Sequence, residues 1–277
     1  MVVGYSIDIE FSWGFQSRIV GLSKTSPSFY YPPPSTFLGA LAEAIAKSEN
    51  LNNKQGLGLM AALSRSLLAI GWRPLNCVVL KYEDINRLIK IGIAKGILTP
   101  DPRFLGDSFD SPARGKTVVI SLDENSPTIR WTLVFRKNNI PLEKDSSIEL
   151  NEESFWRIHR LGSKESVISV VNVKKFDQIT ALTGLISIKN SFFVKEGVTP
   201  KEEAKGRWNY EVYLNPFDLE AYRPEKNPFN YYMMGEKLLS FKIPILSLAL
   251  YEPEYLVELR HPFVAYKCGE GVVVGRT

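Results

Sequence analysis

The clearest pattern in the chain stands at its start. Tyr5, Ile7, Ile9, Phe11 and Trp13 alternate with Ser6, Asp8, Glu10 and Ser12, and a period of two predicts a strand with one buried face. Periodicity then stops. From Gly14 to Tyr31 glycine, serine, cations and aromatics mix, which predicts a loop. Pro32, Pro33 and Pro34 hold the next stretch extended, since each fixes φ and restricts the residue before it. Ser35 or Thr36 is placed to cap the helix that follows. In that helix Phe37, Leu38, Leu41, Ala44 and Ile45 form an apolar stripe, with Glu43 and Lys47 on the other side.

A second stripe, Met60, Leu63, Leu67 and Ile70, predicts a helix from Gly58 to Ile70. Asn76 to Tyr82 reads as a strand. Lys116 to Leu122 and Thr128 to Arg136 flank the turn DENSP and predict a hairpin, whose second strand buries Ile129, Trp131, Leu133 and Phe135. The stretch Glu83 to Lys116 mixes Gly, Pro and Asp with Lys90, Lys95, Arg103 and Arg114; insertions of that kind in a compact domain usually carry function. Asn151 suits the cap of a helix from Glu152 to about Arg160. Ser166 to Val173 is β-branched and strand-like. The part from 175 to 277 alternates strand-like pieces with Pro and Asn breaks and ends in GEGVVVGR. This order predicts one α+β domain over 1–277, a ferredoxin-like or RRM-type antiparallel sheet with helices on one face.

Composition changes little. The 277 residues are 44% hydrophobic and 23% charged, enough apolar material for a real core. A net charge of +4 with a pI near 8.9 permits a nucleic-acid partner without requiring one. Cys77 and Cys268 stand far apart with no CxxC spacing, against a disulfide framework or a zinc knuckle. The start MVVGYSIDIEF lacks a secretory pattern, and no apolar run reaches the roughly 20 residues that span a bilayer. The expectation is a cytoplasmic protein without membrane association.

Catalytic chemistry has little material. His159 and His261 are the two histidines, and HExxH, GxSxG, Walker and GxGxxG patterns are missing. Gly269, Gly271 and Gly275 do not open a helix, so a tight β-turn explains them better than a phosphate loop. Asp101, Asp107 and Asp110 read as acidic turn residues. Two clusters remain. The first is the loop with Gln16, Ser17, Arg18, Ser23, Lys24, Thr25 and Ser26, flanked by Phe15, Phe29, Tyr30 and Tyr31. Cations for phosphate and aromatic faces for bases are what single-stranded RNA recognition needs, and the helix start at Ser35-Thr36 adds backbone donors. An ordinary solvated loop, with the tyrosines packed on the core, is the plainer alternative. The second cluster, HRLGSKES, carries Arg157, Arg160, Gly162, Ser163, Lys164 and Glu165 between a helix and a strand.

Taken together these segments resemble the Cas5 family of CRISPR-associated proteins, within the repeat-associated (RAMP) superfamily, and most closely its archaeal type I-A (Apern) branch. Pro33, Pro34, Ser35, Thr36, Gly39, Ala40 and Leu41 match a Pro-Pro-Ser/Thr…Gly-Ala-Leu pattern; Arg160, Gly162, Glu165 and Ser166 match Arg-x-Gly-x-x-Glu-Ser. The resemblance implies an RRM-like core with an inserted β-hairpin thumb, for which 83–116 is the candidate. It implies a non-catalytic subunit of a Cascade complex in antiviral defence against DNA, without cofactor or metal. That subunit grips the 5′ handle of the crRNA beside Cas7 backbone subunits and the large subunit, and meets target DNA indirectly. The residues expected to hold RNA are Arg18, Lys24, Ser35, Thr36, Arg160 and Lys164. Two alternatives stay open. One is a metal-independent endoribonuclease of the type I-C kind, using His159 with Lys164 or Tyr30; the other is the equivalent subunit of a type III complex. The last third of the chain aligns with no part of the pattern.

Overall fold

The computed structural model describes residues 2–17, 27–85, 88–89, 92–94, 97–99, 109–110, 113–142, 146–218, 228–246 and 252–277. The alternating strand at the start, Val3–Phe11, lies inside an antiparallel sheet between Thr128–Phe135 and Ile168–Phe176. Thr128–Phe135 pairs on its other side with Leu67–Pro74. The spatial order of these four strands is fourth, first, third, second. With helices Pro34–Ser48 and Asn53–Ser66 between the first two strands and Glu152–Trp156 between the last two, this is the ferredoxin-like arrangement the sequence predicts.

The helices cover the face that carries Tyr5, Ile7 and Ile9. Phe155 meets Tyr5 with ring centres 4.7 Å apart, and Phe37 stacks on Trp131 at 4.6 Å. Trp72 extends that stack at 4.8 Å, and Phe241 and Tyr213 of the last third close on Trp72. Truncating a ring in such a column, Phe37→Ala for example, costs about 3–5 kcal/mol. On the opposite face Asp8 accepts two hydrogen bonds from Arg130, at 2.6 and 2.8 Å, and one from Asn172 at 2.9 Å, joining three strands. The polar half of the first strand is therefore buried too, but around an ion pair.

The last third builds three things. A hairpin, Phe263–Cys268 with Gly271–Arg276, extends the main sheet through Gly275, which pairs with Ala69 so closely that a Cβ there would sit 2.4 Å from the Leu68 carbonyl oxygen. Gly269 turns that hairpin at φ +58°, the tight turn expected of the glycine string. The other two are three-stranded sheets, Gly184–Ile188, Glu254–Leu259 and Val198–Lys205, and Phe192–Val194, Leu238–Ile245 and Arg207–Leu214.

Between the second and third core strands, Cys77–Ile85 and Ala113–Ser121 form a ribbon of nine antiparallel pairs. Its outward continuation pairs Leu88–Ile89 with Phe109–Asp110 and Gly92–Ala94 with Ile97–Thr99. The expected hairpin of Lys116–Leu122 with Thr128–Arg136 does not form; each strand takes a different partner. The turn between them is an exit from ribbon to core sheet. Asn76 holds it, donating to Asp123 Oδ1 at 2.8 Å and accepting from the Thr128 amide at 2.9 Å.

Four boundaries also differ. The second helix starts at Asn53, because Asn52 and Gln55 make a reciprocal capping box. It stops at Ser66, so Leu67 and Ile70 belong to a fully buried strand whose continuous apolar run imitates a helical stripe. The first helix starts at Pro34 with Pro33 as its cap and no side-chain cap bond. Ser35 and Thr36 therefore lie inside the first turn, Pro34 being preset for the first helical position. Asn151 does cap Glu152–Trp156, but the helix ends well before Arg160.

Candidate nucleic-acid interface

The first loop begins and ends at one neck. Gly14–Phe15 adds to the ribbon as a short third strand against Thr117 and Val118. Gly14 is at φ +146°, and a Cβ would fall 2.0 Å from the Thr117 carbonyl oxygen, so no side chain fits. Ser17 and Ser28 close the neck: the Ser28 hydroxyl donates to the Ser17 carbonyl at 3.1 Å, and the Phe29 amide donates to the same oxygen at 3.1 Å. Arg18, Ser23, Lys24, Thr25 and Ser26 lie outside the described residues.

The Arg160–Ser166 loop packs on this neck although 150 positions separate Gln16 from Ser166. The Gln16 amide donates to Ser166 Oγ at 2.9 Å, the Ser163 amide to the Gln16 carbonyl at 3.2 Å, and Trp13 Nε1 to the Glu165 carbonyl at 2.9 Å. Gly162 makes the approach possible: at φ +109° its Cβ would stand 2.7 Å from the Gln16 carbonyl oxygen. Thus Gln16, at the start of the first cluster, meets the second cluster. Lys164 is exposed there.

Arg160 has a different setting. Its guanidinium donates to both oxygens of Glu43, at 2.7 and 3.2 Å, and Lys47 stands 2.7 Å from the same carboxylate. Burial alone would raise the Glu43 pKa; hydrogen bonds from Lys47 and Arg160 outweigh it and hold the group below the usual carboxylate range. Arg160 therefore ties its loop to the proline helix. Ser35 and Thr36 are half-buried at the start of that helix, where the Thr36 amide donates to the Pro33 carbonyl at 2.9 Å.

The flanking aromatics are not stacking platforms. Phe15, Phe29 and Tyr31 are buried. Tyr31 donates to the Pro244 carbonyl at 2.6 Å, and Phe29 lies 5.0 Å from Tyr213. Tyr30 is half-buried beneath Lys81, whose Nζ stands 3.9 Å from the ring centre. Rings next to prolines in an extended turn gain more from the core than from solvent, and the plainer alternative for the tyrosines holds. The group that fixes this turn, Glu211, gave no signal in the sequence. Its carboxylate accepts from the Tyr30 amide at 2.8 and 3.0 Å, from Lys81 at 2.9 Å and from the Tyr213 hydroxyl.

Among the described residues no group of His, Cys, Asp or Glu is arranged to hold a metal, and no helix is long and apolar enough to cross a membrane. Asp101 and Asp107 lie outside the described residues. Residues 6–227 match the family model described as CRISPR-associated protein (Cas_Cas5). The chain belongs to the Cas5 family. A curated Cas5 relative, the CRISPR system aCascade subunit Cas5 1 of Saccharolobus solfataricus, is 25% identical over 269 residues, 96% of each chain. The crystal structure of a CRISPR protein from Archaeoglobus fulgidus is 45% identical, with a TM-score of 0.72 over 99% of this chain and 100% of that one. Both of these similarities run through the last third, which the motifs left unaligned.

Proposed function

We propose that this chain is a non-catalytic crRNA-binding subunit of a type I-A Cascade complex, holding the 5′ handle at the foot of the backbone beside Cas7 subunits and the large subunit. The observation that carries the reading is the junction of the Arg160–Ser166 loop with the Gly14–Ser17 neck. It holds the exposed Lys164 on a rigid support, which suits phosphate and shape contacts to a guide whose sequence is read by base pairing. Kinship to a subunit named for aCascade supports the setting. Arg18 and Lys24, which lie outside the described residues, are proposed as further RNA contacts from the sequence alone, and Ser35 and Thr36 offer the helix start. Arg160 serves chiefly by holding the loop on Glu43. The insertion 83–116, carried by the ribbon of Cys77–Ile85 with Ala113–Ser121, is the thumb of this reading, lying along the guide and its neighbour.

Incubating the purified protein with repeat RNA in EDTA tests this. Salt-sensitive binding without cleavage is expected. Specific cutting would establish the endoribonuclease alternative, and co-purification with type III subunits would move the chain to the other kind of complex.

A further inference from the structure

The ribbon that leaves the core carries apolar side chains on both faces. Its inner face holds Cys77, Val79, Thr117 and Val119, all buried. The register fixes the outer face: Val78 stands opposite Ile120, Leu80 opposite Val118, and Tyr82 opposite Lys116. Residues directly opposite in an antiparallel pair share a face, with Cβ atoms ~4.5–5.5 Å apart, so these side chains form one continuous surface. Leu80 is 48%, Tyr82 55% and Ile120 46% exposed, and Val78 and Val118 are half-buried.

An antiparallel sheet with one face in water normally alternates apolar-in with polar-out. Single exposed apolar residues need no explanation, whereas a contiguous apolar surface marks an interface. Its charge tells which kind. A groove that follows a nucleic-acid backbone is lined with cations; this surface has Lys116 alone, so it fits protein and not RNA. Lys116 also argues against a second copy of the chain. It stands at one end of the surface, and the Val78–Ile120 pair at the other. Two identical ribbons stacked face to face about a two-fold axis bring the two lysines to the same end, or set each on the other's apolar end. Both arrangements enclose a cation without an anion, which is strongly unfavourable.

We propose that the outer face of the ribbon docks on an apolar surface of a different protein subunit, one that offers a carboxylate to Lys116. The proposal rests on the complex-subunit reading above for the existence of a neighbour, and on the register for the surface. The third strand of this sheet, Gly14–Phe15, leads into the neck, so the neighbour meets the chain next to the junction assigned to the guide.

Photocrosslinking in the assembled complex tests it. A benzophenone amino acid replaces Leu80 or Ile120 in the full chain, the complex is purified with its crRNA and irradiated, and the adducts are identified by mass spectrometry. Adducts from both positions to one and the same protein subunit are expected. Adducts to crRNA, to a second copy of this chain, or to no partner overturn the proposal. Leu80→Asp and Lys116→Glu read the same contact as affinity: each is expected to lower binding of the chain to the rest of the complex roughly tenfold. The free variants keep their melting temperature and their RNA anisotropy. Wild-type assembly in both variants overturns the docking face, and so does a loss of RNA affinity in free Leu80→Asp. The guide-holding reading is scored apart from this one. If the free wild type binds no RNA while subunit adducts form, that reading fails and the docking face stands; if RNA binds and no subunit adduct forms, the reverse holds.

Discussion

Lys81 Nζ lies 2.9 Å from Glu211 Oε1 and 3.9 Å from the centre of the Tyr30 ring. Three distant parts of the chain meet in that contact: the ribbon arm, the last third and the turn into the proline helix. Glu211 is buried, so its charge depends on this company. Lys81→Met removes the counter-charge and leaves the carboxylate to the Tyr30 amide and the Tyr213 hydroxyl. A loss of about 1–3 kcal/mol is expected in urea unfolding, the range for a buried group left short of a partner, since Lys81 itself is part-exposed. A change under about 0.5 kcal/mol, the usual size for a neutral surface substitution, contradicts the keystone role.

Such a contact shows where sequence reading stops. Alternation in Val3–Phe11 and the Phe37–Ile45 stripe are local, and they revealed the core strand and the helix on its face. A Lys–Glu pair separated by 130 positions leaves no local trace. The same holds for the partners of Thr128–Phe135, since apolar alternation names a buried face but not the neighbouring strand. Leu67 and Ile70 misled because a fully buried strand and a helical stripe can share spacing. At the site, the motifs pointed to the Arg160–Ser166 loop and to the first loop, but their junction rests on backbone bonds of Gln16 and on the left-handed Gly162. The Arg160–Glu43 pair, 117 positions apart, left no local trace either.

Arg160 and Lys164 should therefore behave differently. Lys164→Ala is expected to reduce the slope of log affinity against log salt by about one for guide RNA, with an unchanged melting temperature. Arg160→Ala breaks a part-exposed ion pair, so it costs at most about 1 kcal/mol of stability and loosens the loop. Equal effects of both variants on RNA, with neither altering stability, would place Arg160 on the RNA and not on Glu43.

Gly162→Ala tests the junction itself. A methyl at φ +109° and 2.7 Å from the Gln16 carbonyl oxygen must push the two loops apart. RNA binding is expected to fall while the core sheet stays folded by circular dichroism. Wild-type affinity in this variant argues that the loops act separately.

The ion pair on the helix-free face makes a pH prediction. Burial alone would raise the Asp8 pKa, but hydrogen bonds from Arg130 and Asn172 outweigh it and lower the value. A lowered folded-state pKa adds stability that is fully present above the unfolded value of about 3.9 and is lost as pH falls through the folded one. Wild-type stability should therefore drop more steeply below about pH 4 than that of Asp8→Asn, which is less stable at neutral pH. Parallel pH curves in urea unfolding contradict it.

Both cysteines are buried, and burial pushes each thiol up to about 12. Neither should react with a thiol reagent at neutral pH until urea unfolds the chain. Rapid labelling of one thiol in the native protein would show that its wall opens.

Guide RNA is proposed to lie on the junction of the Gly14–Ser17 neck and the Arg160–Ser166 loop. Ultraviolet crosslinking of crRNA to the purified complex, followed by mass spectrometry of the attached peptides, tests it most directly. Crosslinks from the 5′ handle to peptides containing Trp13–Ser17 or Arg160–Ser166, lost in Gly162→Ala, are the predicted result. Handle crosslinks that avoid both segments would contradict it.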